Sequence, residues 1–237
     1  MNPARKTSLV FGLFFAGTFI FSIPAFLFYG PILNDPNYIL GEGGETRISM
    51  GALFEILLAI CNIATAIVLF PLVKRVNEAV ALGYVALRIV ESVIILMGVI
   101  SLMSVLTLRS AFVPDGDTDT ALMVGQSLVA FHDWTFLLGP QFCAGFGNGF
   151  LLGYLMYRSG LVPPRMAILG LVGGPLAFLG GVLVLFGTLE PQSGGLFALT
   201  ALEIAWELSI TVYTLVKGFR PSSVLDWHAQ ARTVTLG

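Results

Sequence analysis

Long apolar runs separated by short polar segments occupy most of this 237-residue chain. Each run can cross the apolar core of a bilayer, which is roughly 30 Å thick, as a helix that rises about 1.5 Å per residue. We therefore predict an all-α, polytopic membrane helix bundle of about six transmembrane helices. The predicted spans cover residues 8–29, 48–73, 79–108, 121–157, 166–187 and 196–216.

Two of these runs are longer than one straight crossing requires. Residues 79–108 must tilt or protrude from the membrane. Residues 121–157 are divided at Gly139-Pro140, and we expect the part before this break to lie near the outer surface or above it. Residues 1–220 are interpreted as a single transmembrane domain and residues 221–237 as a short cytoplasmic tail.

The distribution of basic residues predicts the orientation of the bundle. Cytoplasmic segments next to transmembrane helices are enriched in Lys and Arg. With six spans and both termini inside, nine of the twelve basic residues are cytoplasmic, whereas the outer loops carry Arg47 and Arg109 beside seven acids. The nine are Arg5, Lys6, Lys74, Arg75, Arg158, Arg165, Lys217, Arg220 and Arg232. Both termini are therefore expected in the cytoplasm.

The composition supports a membrane protein and excludes one class of partner. Hydrophobic residues make up 56% of the chain and charged residues 11%, against roughly a quarter charged in soluble domains. The mean hydropathy is +0.89, so the lipid bilayer is the expected surrounding. A net charge of −2 without a long basic run argues against nucleic-acid binding. Cys61 and Cys143 lie in apolar runs without metal-ligand spacing, and no cofactor motif or metal site is predicted.

Glycines recur every four residues in the fourth and fifth spans. Small residues at this spacing let helix backbones approach closely. No strand precedes them, which argues against a phosphate-binding loop. Packing within the bundle is therefore favoured over a ligand cradle for Gly145, Gly149, Gly153, Gly170 and Gly174.

Ionisable residues inside the predicted spans are the candidate functional residues. A charge at the centre of a membrane helix costs at least roughly 2.5–3.5 kcal/mol, so each should face the bundle interior. Arg88 and Glu91 are three residues apart and can pair, either as a structural ion pair or as a working one. Glu203 and Glu207 are four apart, so at least one should be protonated or bound to a cation.

Glu55 adds a carboxylate in the second span, and His132 and Asp133 lie close to the outer side. Counting depth by helix rise places Glu55 and Glu203 in the outer half and Glu91 and Glu207 nearer the middle. The simplest arrangement is a polar pocket that is open to the outside and has its floor near the midplane.

Three segments resemble the bacterial domain-of-unknown-function family 4386. They are an Arg-x-x-Glu in Ala86–Glu91, the pair His132-Asp133, and the run Gly-Tyr-Leu-Met-Tyr-Arg-Ser-Gly-Leu-Val-Pro at residues 153–163. The sequence departs from the family pattern where Phe131, not leucine, precedes the histidine. The resemblance implies a multi-pass protein of the bacterial plasma (inner) membrane, assigns no activity, and marks Arg88, Glu91 and His132 as candidates.

Three classes of function stay open on the sequence alone. The leading hypothesis is binding or translocation of a small solute or cation, with Glu55, Glu91, Glu203 and Glu207 supplying charge and Arg88 setting its balance. The second is an intramembrane enzyme that acts on a lipid or quinone through carboxylates and histidine, as metal ligands or as an acid–base set. The third is a sensor or assembly subunit, and a homo-oligomer is compatible with each.

Overall fold

The computed structural model describes residues 2–112 and 118–225, and within these ranges the chain is helical without strands. Six long helices follow one another, with a short 3₁₀ helix, Tyr38–Leu40, after the first. They are α1 Pro3–Asn34, α2 Glu45–Val73, α3 Glu78–Phe112, α4 Thr118–Ser159, α5 Pro164–Leu185 and α6 Gly194–Val216. The predicted loop acids Asp115 and Asp117 and most of the predicted tail fall outside the described residues.

All six helices are long and apolar enough to cross a membrane. Their exposed side chains are largely aliphatic and aromatic, as lipid contact requires. The prediction of an all-α, multi-pass membrane bundle with six helices is therefore confirmed.

The fourth helix differs from the prediction of a break at Gly139-Pro140. The chain stays helical from Thr118 to Ser159, but its winding widens to a π-helix over Leu137–Leu151. A proline lacks the N–H that an α-helix would use, and a local change of winding is one way for a helix to accommodate it. The predicted break is therefore replaced by a change of winding within one continuous helix.

Each helix packs against its neighbour in the chain, and α6 returns to pack against α1, which closes a ring. At the closing contact Arg5 donates hydrogen bonds to the carbonyls of Thr214 and Leu215, at 3.0 and 2.6 Å, and the Ser8 hydroxyl donates to Thr214 at 2.9 Å. The start of α1 and the end of α6 therefore lie at one end of the bundle, which we call the terminal end.

Two apolar clusters fill the two ends of the bundle. Phe11, Leu69, Tyr84, Leu152 and Ile210 are fully buried members of the cluster at the terminal end. The cluster at the opposite end is Tyr29, Ile32, Tyr38, Ile39, Ile48, Leu102, Val105 and Ala121. Polar side chains from several helices meet between these clusters.

The loop at the opposite end is tied down by Arg109, near the end of α3. Its guanidinium donates to the carbonyls of Tyr38 and Gly43, at 2.6 and 2.9 Å, and pairs with the Glu45 carboxylate at 2.8 Å. The same guanidinium lies over the Tyr38 ring, 4.5 Å from its centroid. Helix α3 has 35 residues and is about 52 Å long at the α-helical rise, so it extends beyond an apolar bilayer core.

Candidate functional site

A cavity of about 610 Å³ lies between the helices and extends from the middle of the bundle toward the end opposite the terminal end. Helices α1, α2, α3, α4 and α6 line it, together with the segment that connects α5 to α6. Its walls are largely apolar, whereas its inner end is polar. The polar residues at the inner end are Asn62, Arg88, Glu91, Asn148, Glu203 and Glu207.

Arg88, Glu91 and Asn62 form a closed triangle of hydrogen bonds. One guanidinium nitrogen of Arg88 donates to Glu91 at 2.7 Å, and the others donate to the Asn62 side-chain and backbone oxygens at 2.5 and 3.3 Å. The Asn62 amide donates in turn to Glu91 at 3.2 Å. Arg88 is 1% exposed, and its charge is neutralised inside the bundle by Glu91, one turn along its own helix, while Asn62 of α2 accepts its remaining hydrogen bonds.

Asn148 connects the π-helical part of α4 to α6. Its side-chain amide donates to Glu207 at 2.6 Å, and its backbone carbonyl accepts a 2.9 Å hydrogen bond from the indole of Trp206. Sequence reasoning missed Asn148, although an isolated amide in a glycine-rich apolar run is a signal that could have found it. The two bonds hold Glu207 toward the cavity floor.

Glu203 is 4% exposed and lines the same cavity. Among the described residues, neither of its carboxyl oxygens has a hydrogen-bond partner. Buried polar groups in folded proteins almost always have one. Its carboxyl group occupies the space where a Cβ on Gly149 would be, so glycine at that position makes room for it. An unpartnered buried carboxyl at the inner end of a cavity is a candidate contact for a ligand.

Gln141 and Thr200 extend this polar surface toward the open end. The Gln141 amide nitrogen donates to the Thr200 hydroxyl at 2.9 Å and to the backbone carbonyl of Ala177 at 2.7 Å. Thr200 precedes Glu203 by three residues on α6, so both side chains face the cavity from the same side of the helix.

The structure brings together six of the seven candidate residues from the sequence. The residues that line one cavity are Arg88, Glu91, His132, Asp133, Glu203 and Glu207. Glu55 is placed differently, because its carboxylate accepts a 3.1 Å hydrogen bond from the Tyr29 hydroxyl of α1 and is not one of the lining residues described. The Glu55 carboxylate therefore lies beside Tyr29, outside the set of residues that line the cavity.

His132 and Asp133 belong to the part of the cavity nearer its open end. His132 is 5% exposed, and its Nδ1 lies 3.8 Å from the exposed Asp133 carboxylate, too far for a hydrogen bond. The ring packs edge-on against Tyr29, with centroids 5.6 Å apart. His132 therefore stands between the Tyr29–Glu55 pair and the cavity.

The five glycines assigned to packing lie at close backbone crossings. A Cβ on Gly149 would overlap the backbone of Gly174. A Cβ on Gly145 would lie 3.0 Å from the Gly174 carbonyl, and one on Gly153 would lie 2.9 Å from the backbone nitrogen of Leu171. A Cβ on Gly170 would lie 2.7 Å from the indole nitrogen of Trp206. These contacts support the packing interpretation, since small residues permit them.

A search for metal-ligand clusters in residues 2–112 and 118–225 finds no group of three His, Cys, Asp or Glu side chains that could hold one ion. The two cysteines, Cys61 and Cys143, are buried free thiols.

Comparison with known proteins identifies a family. The family model described as "Domain of unknown function (DUF4386)" matches residues 10–218, which is most of the chain, so the chain belongs to this family and the resemblance predicted from its motifs is confirmed. No curated protein and no solved structure matches it.

Proposed function

We propose that this DUF4386 protein binds a small organic molecule that carries a protonated nitrogen on an apolar body. The observation that carries the proposal is Glu203, whose buried carboxyl has no partner among the described residues and lines a cavity of about 610 Å³. The proposal keeps the solute- or cation-binding hypothesis of the sequence and assigns its principal contact.

The charges at the inner end of the cavity favour a cationic ligand. Arg88 and Glu91 neutralise one another through a 2.7 Å ion pair. Two carboxyl groups remain, of which Glu207 accepts a hydrogen bond from Asn148 and Glu203 accepts none within the described chain. A cationic N–H group would supply both the missing donor and the missing positive charge.

The size and walls of the cavity favour an organic ligand over a bare ion. Pockets that hold small organic molecules have volumes of about 300–1,000 Å³ and are largely apolar with a few polar groups. The wall residues include Phe19, Ile95, Leu137 and Phe197. A hydrated inorganic cation would gain nothing from these side chains, whereas an apolar ligand body is removed from water by them.

The cavity is closed toward the terminal end, which supports binding as the primary event. The floor rests on the apolar cluster that contains Leu152, Trp206 and Ile210, each with no exposed surface. Passage beyond the floor would require these packed side chains to separate. Since the orientation predicted from the basic residues places the opposite end outside the cell, the ligand would be captured from that side.

The burial of Glu203 links ligand binding to a proton. An ionised carboxylate without a donor is costly to bury, so a proton and a cationic ligand compete for Glu203. A bound ammonium group pairs with the ionised form, and the proton leaves. Low pH therefore opposes binding, and the affinity for an organic cation rises by up to about tenfold per pH unit in the range where Glu203 of the empty protein is protonated.

Calorimetric titration of the protein in lipid nanodiscs tests the proposal. The probe is hexylamine, with hexanol as its neutral analogue and hexanoate as its anionic analogue. Hexylamine should bind more tightly than either analogue. In Glu203→Gln its affinity should fall by about 30-fold or more, because loss of one member of a buried charge pair costs about 2 kcal/mol or more.

Glu42→Gln is the matched control, because it removes the same charge from an exposed loop residue outside the cavity lining. Its affinity for hexylamine should equal that of the wild type. Absence of hexylamine binding, or an undiminished affinity in Glu203→Gln, would refute the proposal. The same titrations repeated between pH 5 and 8 should show a slope in the wild type that Glu203→Gln lacks.

A further inference from the structure

We infer that the cavity opens sideways into the membrane between α1 and α6, and that its ligand is a single-chain cationic amphiphile that enters from the lipid. This inference rests on the proposed function and adds the ligand class and its route.

Helices α1 and α6 are joined at the terminal end of the bundle. Arg5 and Ser8 of α1 donate hydrogen bonds to backbone carbonyls of Thr214 and Leu215 on α6. A Cβ on Gly12 would lie 2.7 Å from the Thr214 hydroxyl and 2.9 Å from the Leu215 side chain. The two backbones therefore approach closely along the first turns of α1.

Farther from the terminal end, two aromatic side chains of α1 contact side chains of α4. Phe26 lies 6.4 Å from Phe136 between ring centroids, and Tyr29 lies 5.6 Å from His132. In this region side chains of α1 and side chains of α6 line the same cavity. The cavity therefore separates α1 from α6 in this region, whereas the two helices are in direct contact at the terminal end.

Side chains from both helices form the edges of this lateral opening. The residues of α1 are Thr18, Phe19, Ser22 and Phe26, and those of α6 are Leu196, Phe197, Thr200 and Ile204. Phe26 is 46% exposed and Phe197 is 66% exposed. The edges of the opening are largely apolar, which suits a hydrocarbon chain more than water.

The opening lies at lipid depth. At a rise of about 1.5 Å per residue, Ser22 is about 21 Å along α1 from Ser8, and Phe197 is about 25 Å along α6 from Thr214. Both distances are within an apolar core of roughly 30 Å. Glu203, about 17 Å from Thr214 by the same rise, then lies near the midplane. The opening faces acyl chains of the leaflet remote from the terminal end.

This geometry selects a ligand with one charged end and one chain. The cationic nitrogen reaches Glu203, and the hydrocarbon chain leaves between Phe26 and Phe197 into the surrounding lipid. A molecule of this kind is concentrated in the bilayer before it binds, and the lateral opening allows it to enter without returning to water.

Binding of two amines that differ in chain length tests the inference. Dodecylamine extends through the lateral opening, whereas hexylamine is contained near the floor. In Ser22→Trp the indole narrows the opening from α1, so the affinity for dodecylamine should fall by about tenfold or more through loss of buried methylene contacts. The affinity for hexylamine should stay within about twofold of wild type.

Ser104→Trp is the matched control, because Ser104, like Ser22, bonds to its own helix and is not one of the residues that line the cavity. It should bind both amines as the wild type does. Equal affinities of Ser22→Trp and wild type for dodecylamine would overturn the lateral route. An equal loss of affinity for both amines in Ser22→Trp would also overturn the lateral route. In either case, hexylamine binding that depends on Glu203 would still support the proposed function. If wild type binds neither amine, both proposals are refuted.

Photolabelling of the wild-type protein gives a second, independent readout. Dodecylamine with a diazirine at the end of its chain should label residues 18–26 of α1 or 196–204 of α6. Labelling concentrated at any other helix pair would overturn the inference.

Discussion

The buried pair of Arg88 and Glu91 allows a stability prediction that separates charge from shape. Glu91→Gln preserves the size of the side chain but removes the ion-pair partner of the Arg88 guanidinium, which is 1% exposed. Removing one partner of a buried ion pair costs about 3–5 kcal/mol. The folding equilibrium should therefore shift by roughly 100- to 5,000-fold toward the unfolded state.

Arg88→Met should cost less than Glu91→Gln. A lone carboxyl can neutralise itself by taking up a proton, whereas a guanidinium keeps its charge. Lowering the pH should therefore restore stability to Arg88→Met, and raising the pH should destabilise it, because ionised Glu91 then has no cationic partner. The double variant Arg88→Met/Glu91→Gln removes both members of the ion pair and should lie within about 2 kcal/mol of wild type.

Unfolding in mixed micelles with increasing sodium dodecyl sulfate measures these differences, with tryptophan fluorescence as the signal. Trp206 is fully buried in the cluster beneath the floor and should report the transition. Glu42→Gln serves again as the charge-matched control. Additive effects of the two single substitutions, or a Glu91→Gln protein as stable as wild type, would show that the pair is not energetically coupled.

Three further predictions concern packing and the polar contacts outside the ion pair. Gly149→Ala should destabilise the protein by about 1–3 kcal/mol in the same unfolding assay, because the added Cβ meets the α5 backbone. Gly83→Ala is the control. Its Cβ would lie 3.4 Å from the nearest side-chain atom, so this substitution should be neutral or slightly stabilising. Arg109→Met should speed amide hydrogen exchange in the 3₁₀ helix by about tenfold or more. Glu45→Gln should have a smaller effect, because the Glu45 side chain is 54% exposed. Equal exchange rates in the wild type and both variants would contradict this prediction. Trp206→Phe should cost about 1 kcal/mol through loss of the bond to the π-helical carbonyl. Because the substitution removes the fluorescent reporter, unfolding is followed by circular dichroism, and an unchanged midpoint would show that this bond is not needed.

Several features of the site follow from residue spacing within single helices. Arg88 and Glu91 are three residues apart, and side chains at that spacing share a helix face. Glu203 and Glu207 are four apart and face the cavity together for the same reason. The six long apolar runs predicted the six helices, because a segment inside the bilayer must form its backbone hydrogen bonds internally and a helix does so within one segment.

The partners of these side chains depend on how separate helices are rotated and spaced. The positions of Asn62 and Glu55 along α2 do not indicate their partners. Asn62 forms hydrogen bonds with Arg88 and Glu91, whereas Glu55 accepts a hydrogen bond from Tyr29 of α1. The widened winding of Leu137–Leu151 likewise arises where Pro140 must be accommodated against close neighbours.

The membrane class, the number of helices and the faces on which the charged residues lie can be derived from the order of residues alone, since they depend on local hydropathy and on the 3.6-residue period. Which of those faces meet depends on the packing of the folded bundle. This packing accounts for the partners of the buried charges. It neutralised Arg88, bonded Glu207 to Asn148 and left Glu203 without a partner among the described residues. Contacts between helices depend on packing over the whole bundle, and this is information that no single segment contains.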